Sequence, residues 1–254
     1  MTDANVSLTP LQAEHTPEAV AARIAAETPH VYLRDFVYGA IDGCVTTFAV
    51  VAGAMGAGLS SGIVLILGFA NLIADGFSMA VSNYLGTKAD RQLLQRARRI
   101  EEDHVEEIPE GEIEEIREIF RQKGFEGDLL ERVVTVITGD RRLWVDTMLR
   151  EEWGLALAGP SPLKAAVSTF AAFNIVGLIP LLPFVLFYFI NVSPETAFAV
   201  SCIITAAAFF GVGAMKARYV AESWWRAGGE TLAMGGGAAL LAYVVGVLLS
   251  GLAG

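Results

Sequence analysis

IVLILGFANLIADGFSMAVSNYL, residues 63–85, is almost wholly apolar yet holds Asn71, Asp75, Ser78, Met79, Ser82 and Asn83. A run of this length is enough to cross about 30 Å of hydrocarbon as a helix. Four comparable runs lie near residues 36–57, 165–190, 196–215 and 232–252. With 54% hydrophobic residues and a mean hydropathy of +0.49, the chain is too apolar for a soluble domain of its size. The expected fold is an all-α membrane protein with five transmembrane helices.

The basic residues set an orientation. All 18 Lys and Arg fall before the first run, between Lys88 and Lys164, or between Lys216 and Arg226. The connections at 58–62 and 191–195 carry none, so alternate loops differ completely in positive charge. The N-terminus, the 88–164 stretch and the 216–226 loop are therefore expected in the cytoplasm, and the C-terminus on the far side. The first 30 residues are polar and lack the basic, apolar and small-residue order of a signal peptide. Residues 17–27 have the pattern of a short amphipathic helix, or of a loosely ordered tail.

The acids behind the net charge of −10 are concentrated between the second and third runs, where 18 of the 28 Asp and Glu lie against 13 Lys and Arg. That stretch has no apolar run long enough to span. Its periodic apolar positions, Ile113, Ile116, Ile119 and Phe120, then Leu129, Leu130, Val133, Val134 and Ile137, predict amphipathic helices. Three are expected, at 89–107, 110–122 and 127–152, with Gly124 and Gly127 breaking the chain before the last. The expected organisation is a cytoplasmic segment at 1–34, helices 1 and 2 at 35–87, a cytoplasmic three-helix insert at 88–162, and helices 3 to 5 at 163–254.

A carboxylate inside a span costs several kcal/mol unless it meets water, a partner or an ion. Asp42 and Asp75 are therefore candidate functional groups. Helical spacing puts Thr46 on the face of Asp42, and puts Asn71, Asp75, Ser78, Met79 and Ser82 on one stripe. Carboxylate oxygens suit Fe²⁺ or Mn²⁺, and the Met79 thioether adds a preference for softer ions over Mg²⁺ or Ca²⁺. On composition alone, Asp42 reads equally well as a helix anchor near the interface and Met79 as apolar filler. Pro180 and Pro183 must kink or break the third span. Cys44 and Cys202, each inside an apolar run, read as packing residues and exclude a disulfide framework.

In the insert, Glu101 with His104 and Glu112 with Glu115 share helix faces three residues apart. Glu-x-x-His and Glu-x-x-Glu on facing helices are how bundles assemble iron or manganese sites. A ferritin-like oxidase needs a second Glu-x-x-His, and the other histidines are His15 and His30. Met148, Glu151 and Glu152 recur near the end of the third predicted helix. No nucleophile with its base, phosphate loop or cofactor motif occurs, so neither an enzyme nor a prosthetic group is expected.

These residues together resemble the vacuolar iron transporter family. The resemblance runs from about Asp35 to Gly251 and rests on Tyr38-Gly39-Ala40-Ile41-Asp42-Gly43 with Val45-Thr46-Thr47, on residues 74–85, and on the Pro-Glu-x-Glu-x-x-Glu pattern starting at Pro109. It implies a homodimer in the lipid bilayer that carries Fe²⁺, and often Mn²⁺ or related ions, out of the cytosol in exchange for protons, with no nucleic-acid partner. It also implies a pore at the dimer interface lined by Asp42 and Met79, joined here by Asp75 and Thr46 as candidates. A metal-binding insert would use Glu101, Glu112, Glu115, Met148 and Glu152. The chain departs from the family pattern at His104, where a glutamate is common, and at Met148-Leu149, where methionines can be paired. Two other outcomes follow from the same residues: an exporter dedicated to Mn²⁺, or a membrane metal sensor or storage scaffold without transport.

Overall fold

A computed structural model of the chain describes residues 9–26, 32–190, 192–220 and 222–252. Glu27, His30, Asn191 and residues 253–254, which enter the sequence expectations above, lie outside this set. Among the described residues there are helices and no strands. Residues 1–31 form a unit of their own, containing α1 (Pro10–Ala13) and α2 (Pro17–Ala25). Thr16 caps α2, its Oγ1 accepting from the Ala19 amide at 3.2 Å.

The second unit, from Tyr32 onward, holds five helices long and apolar enough to cross a membrane. They are α3 (Leu33–Gly56), the first half of α4 (Ser61–Glu107), a broken third span, α10 (Pro194–Val220) and α11 (Trp224–Leu249). The third span runs as α8 (Pro162–Gly177), a 3-10 turn (Ile179–Leu181) and α9 (Leu182–Tyr188). The break falls at Pro180 and Pro183, as the missing amide hydrogens require. The Pro180 carbonyl accepts from the Ser201 hydroxyl of α10 at 2.7 Å, which pairs it in an otherwise apolar layer.

α3 is the central helix and packs on α4, α8, α10 and α11. Small residues allow this. A Cβ on Gly39 or Gly43 would strike the backbone of Thr169 or Phe173 in α8, and one on Gly177 would lie 2.7 Å from the Gly43 carbonyl oxygen. At the other end of α3, Gly56 and Gly246 let α3 and α11 touch in the same way. Phe173, Phe184 and Phe209 fill the core these backbones leave between them.

The insert differs from the sequence expectation in two ways. The helix expected at 89–107 is not separate: α4 continues unbroken from span 2 to Glu107, and its 47 residues reach about 70 Å. No Gly or Pro interrupts it between Lys88 and Glu107. The helix expected at 127–152 is two helices, α6 (Gly127–Thr138) and α7 (Arg141–Glu151). Gly139 ends α6, and Asp140 starts α7 by accepting from the amides of Arg142 at 2.9 Å and Leu143 at 3.1 Å. The middle helix, α5 (Pro109–Gln122), falls where it was expected, and Gly124, at φ +90, turns the chain after it. The far half of α4 with α5, α6 and α7 closes over an apolar cluster of Ile116, Leu130, Val134, Ile137, Trp144 and Met148.

Candidate metal cluster and polar ladder

A corner in the backbone builds the cluster. Ile108 precedes Pro109, and a residue before proline is pushed out of the α region. Ile108 accordingly takes φ −135, ψ 51, ending α4 and starting α5 with proline in its first turn. α5 therefore folds back along the last turns of α4 and turns Glu112 toward Glu101 and His104. One ligand atom from each of the three lies within 4.8 Å of the other two. His104 Nδ1 is 3.2 Å from Glu112 Oε1, and Trp153 Nε1 donates to Glu101 Oε1 at 2.7 Å.

Glu101 and Glu112 are 2% and 1% exposed. Their second oxygens, Glu101 Oε2 and Glu112 Oε2, are buried without a hydrogen-bond partner among the described residues. Buried carboxylate oxygens in this state are costly and are relieved by a proton or a cation. Burial, then the charges of Glu115 and Glu101 and more weakly Glu152, push the Glu112 carboxyl up to about 7, with His104 opposing. Burial, then Glu101 and Glu115, also raise Glu152. Glu115 and Glu152 thus share the electrostatic neighbourhood of the cluster, although both are exposed. Met148, one turn before Glu152, is fully buried in the apolar cluster against which α4, α5 and α7 pack. Trp153 had no sequence signal, since its contact with Glu101 spans 52 positions.

Between the spans, α3 and α4 are antiparallel and meet through polar side chains. Asn71 donates to Thr46 Oγ1 at 3.3 Å and to Thr47 Oγ1 at 3.5 Å. The Asp42 and Asp75 carboxylates come near enough for their charges to interact. Asn83 donates to Asp35 Oδ1 at 2.7 Å. Stepping from Asp35 to Asp42 to Thr46 along α3 moves the partner from Asn83 to Asp75 to Asn71 along α4. This constant register makes a ladder of polar rungs and places Met79 at a level between Asp35 and Asp42. Asp42, Thr46, Asn71 and Met79 are half-buried, whereas Asp75, Ser78 and Ser82 are exposed. The Thr46 hydroxyl donates at 2.9 Å to the Asp42 backbone carbonyl.

The fold and these two sites define a polytopic α-helical membrane protein with carboxylates along its spans and a candidate metal-ligand cluster in its polar lobe. The chain belongs to the VIT family, whose model matches residues 33–247. It is 34% identical over 224 residues to the vacuolar iron transporter of Toxoplasma gondii, covering 86% of this chain and 74% of that one. It is also 34% identical over 216 residues to vacuolar iron transporter 1 of Arabidopsis thaliana, covering 83% of each chain. Vacuolar iron transporter 2 of Oryza sativa is 30% identical over 212 residues, covering 83% of this chain and 85% of its own. The names are those of transporters, not of enzymes.

Proposed function

We propose that the protein carries Fe²⁺, with Mn²⁺ or a related divalent ion as a second cargo, out of the cytosol in exchange for protons. The observation that carries this reading is the ladder, which brings two carboxylates, Asp42 and Asp75, within electrostatic reach of each other inside apolar spans. Such a pair is unfavourable in hydrocarbon, and a divalent cation or a proton resolves it. The names of the relatives supply the cargo class.

The insert, on the cytosolic side by the distribution of basic residues, captures the ion on Glu101, His104 and Glu112, with Glu115 and Glu152 nearby and the Met148 thioether beneath. Thr46, Asp42, Met79 and Asp75 then form the path through the spans. Metal and proton compete for the same carboxylate oxygens, so each ion that binds displaces protons, the elementary step of antiport.

A homodimer completes the path. Asp75 is exposed on α4, on one stripe with the equally exposed Ser78 and Ser82. A carboxylate facing lipid there is unfavourable, and a second copy laid against this stripe would turn the ladder inward.

Mn²⁺ or Fe²⁺ flux into proteoliposomes tests the reading with wild type, Asp42→Ala and Met79→Ala. Flux in wild type that falls in both variants supports the pore. Binding without flux in wild type would move the protein to a metal sensor or store using the cluster alone.

A further inference from the structure

The rung at the end of the ladder nearest the insert holds more charge than a structural clamp needs. Asn83 Nδ2 donates to Asp35 Oδ1 and to Thr169 Oγ1, both at 2.7 Å. Thr87 Oγ1 donates to Asn83 Oδ1 at 3.4 Å, and Thr169 Oγ1 donates to the Asp35 carbonyl at 3.3 Å. Every polar atom of the Asn83 amide is thus engaged, which fixes the side chain between α3, α4 and α8. Asp35 Oδ2 accepts no hydrogen bond from the described residues.

No Lys or Arg among the described residues pairs with Asp35. Arg34, its neighbour in sequence, lies instead over the Tyr38 ring at 5.5 Å. A clamp needs only an acceptor, which an asparagine or serine supplies without charge. A half-buried carboxylate with one oxygen held and the other free is instead suited to receive a cation. Asp35 stands two helical turns from Asp42 on the same face, about 10 Å along the axis, with the level of Met79 between them.

We propose that Asp35 is a further ligand for the divalent cation, at the mouth of the ladder on the insert side, and that Asn83 is the positioning residue that aims it. This rests on the pore reading above. The ion leaving the insert meets Asp35 first, then Met79, then Asp42. Short steps between oxygen and sulfur ligands replace one long jump through hydrocarbon.

The test is Mn²⁺ flux into proteoliposomes for wild type, Asp35→Asn, Asn83→Ala and Asp42→Ala, with melting temperature and elution volume recorded for each. Asp35→Asn keeps the acceptor for Asn83 and removes only the charge. The expected result is a KM for Mn²⁺ raised about tenfold or more at an unchanged melting temperature. Asn83→Ala should give a smaller rise with kcat preserved. Asp35→Ser, also an uncharged acceptor, serves if Asp35→Asn does not fold. Wild-type KM in a charge-free variant, while Asp42→Ala is inactive, would reduce Asp35 to a clamp and overturn this inference alone. Normal flux in Asp42→Ala, or none in wild type, would instead overturn the pore reading and this inference with it.

Discussion

Burial and neighbouring carboxylates hold the Glu112 carboxyl at about 7, against about 4.3 for a glutamate in an unfolded chain. A raised acid binds more protons folded than unfolded, so the metal-free insert is more stable below that window and loses stability as pH rises through 7. Thermal melts without metal should therefore fall between pH 5 and pH 8. Saturating Mn²⁺ or Glu112→Gln should flatten that slope. Because binding must displace the Glu112 proton, Mn²⁺ affinity should weaken about tenfold per pH unit below 7 and level off above it. Titration calorimetry at several pH values checks this, and a pH-independent affinity would remove Glu112 from the ligand set. The helical spacing of Glu101, His104, Glu112 and Glu115 was legible in the sequence, because i, i+3 neighbours share a face. The contacts of Trp153 with Glu101 and of Asn83 with Asp35 were not, because nothing in one chain's spacing encodes a register between helices.

At the scale of elements, the length of the apolar runs placed the five spans to within a few residues at most ends, because the need to cross hydrocarbon fixes it, although the last span starts at Trp224 and not near 232. The exceptions are informative. The second span was read as ending near Leu85, where hydropathy falls, but hydrogen bonding along a helix continues into water, and α4 runs on to Glu107. It thus ties the insert cluster to the ladder through one rigid element. The break between α6 and α7 was written in Gly139-Asp140, a stop followed by a cap, and was hidden by the apolar periodicity on both sides. Asp140→Ala should therefore destabilise the insert by about 1 kcal/mol in denaturant unfolding. Where α3 and α8 touch through backbone at Gly43, Gly43→Val should cost about 1–3 kcal/mol or more and lower the melting temperature in detergent. A Gly43→Val protein as stable as wild type would contradict this packing.

For the whole molecule, the family and the five spans were legible from motifs and composition, whereas the way copies assemble is a matter of surfaces. The stripe of Asp75, Ser78 and Ser82 on α4 is exposed in a single chain. In a cysteine-free background, with Cys44 and Cys202 replaced, Ser78→Cys should cross-link two copies under mild oxidation in membranes. Leu241→Cys on α11, itself 70% exposed, should not. Equal cross-linking at both positions, or at neither, would argue against a dimer through α4. The central claim is that a divalent ion crosses along the α3–α4 ladder in exchange for protons. It is tested most directly by following Fe²⁺ entry and internal pH together in the same proteoliposomes. The account predicts metal uptake accompanied by opposing proton movement, driven by an imposed pH gradient, with both lost in Asp42→Ala. Metal uptake that ignores the gradient, or persists in Asp42→Ala, would contradict it.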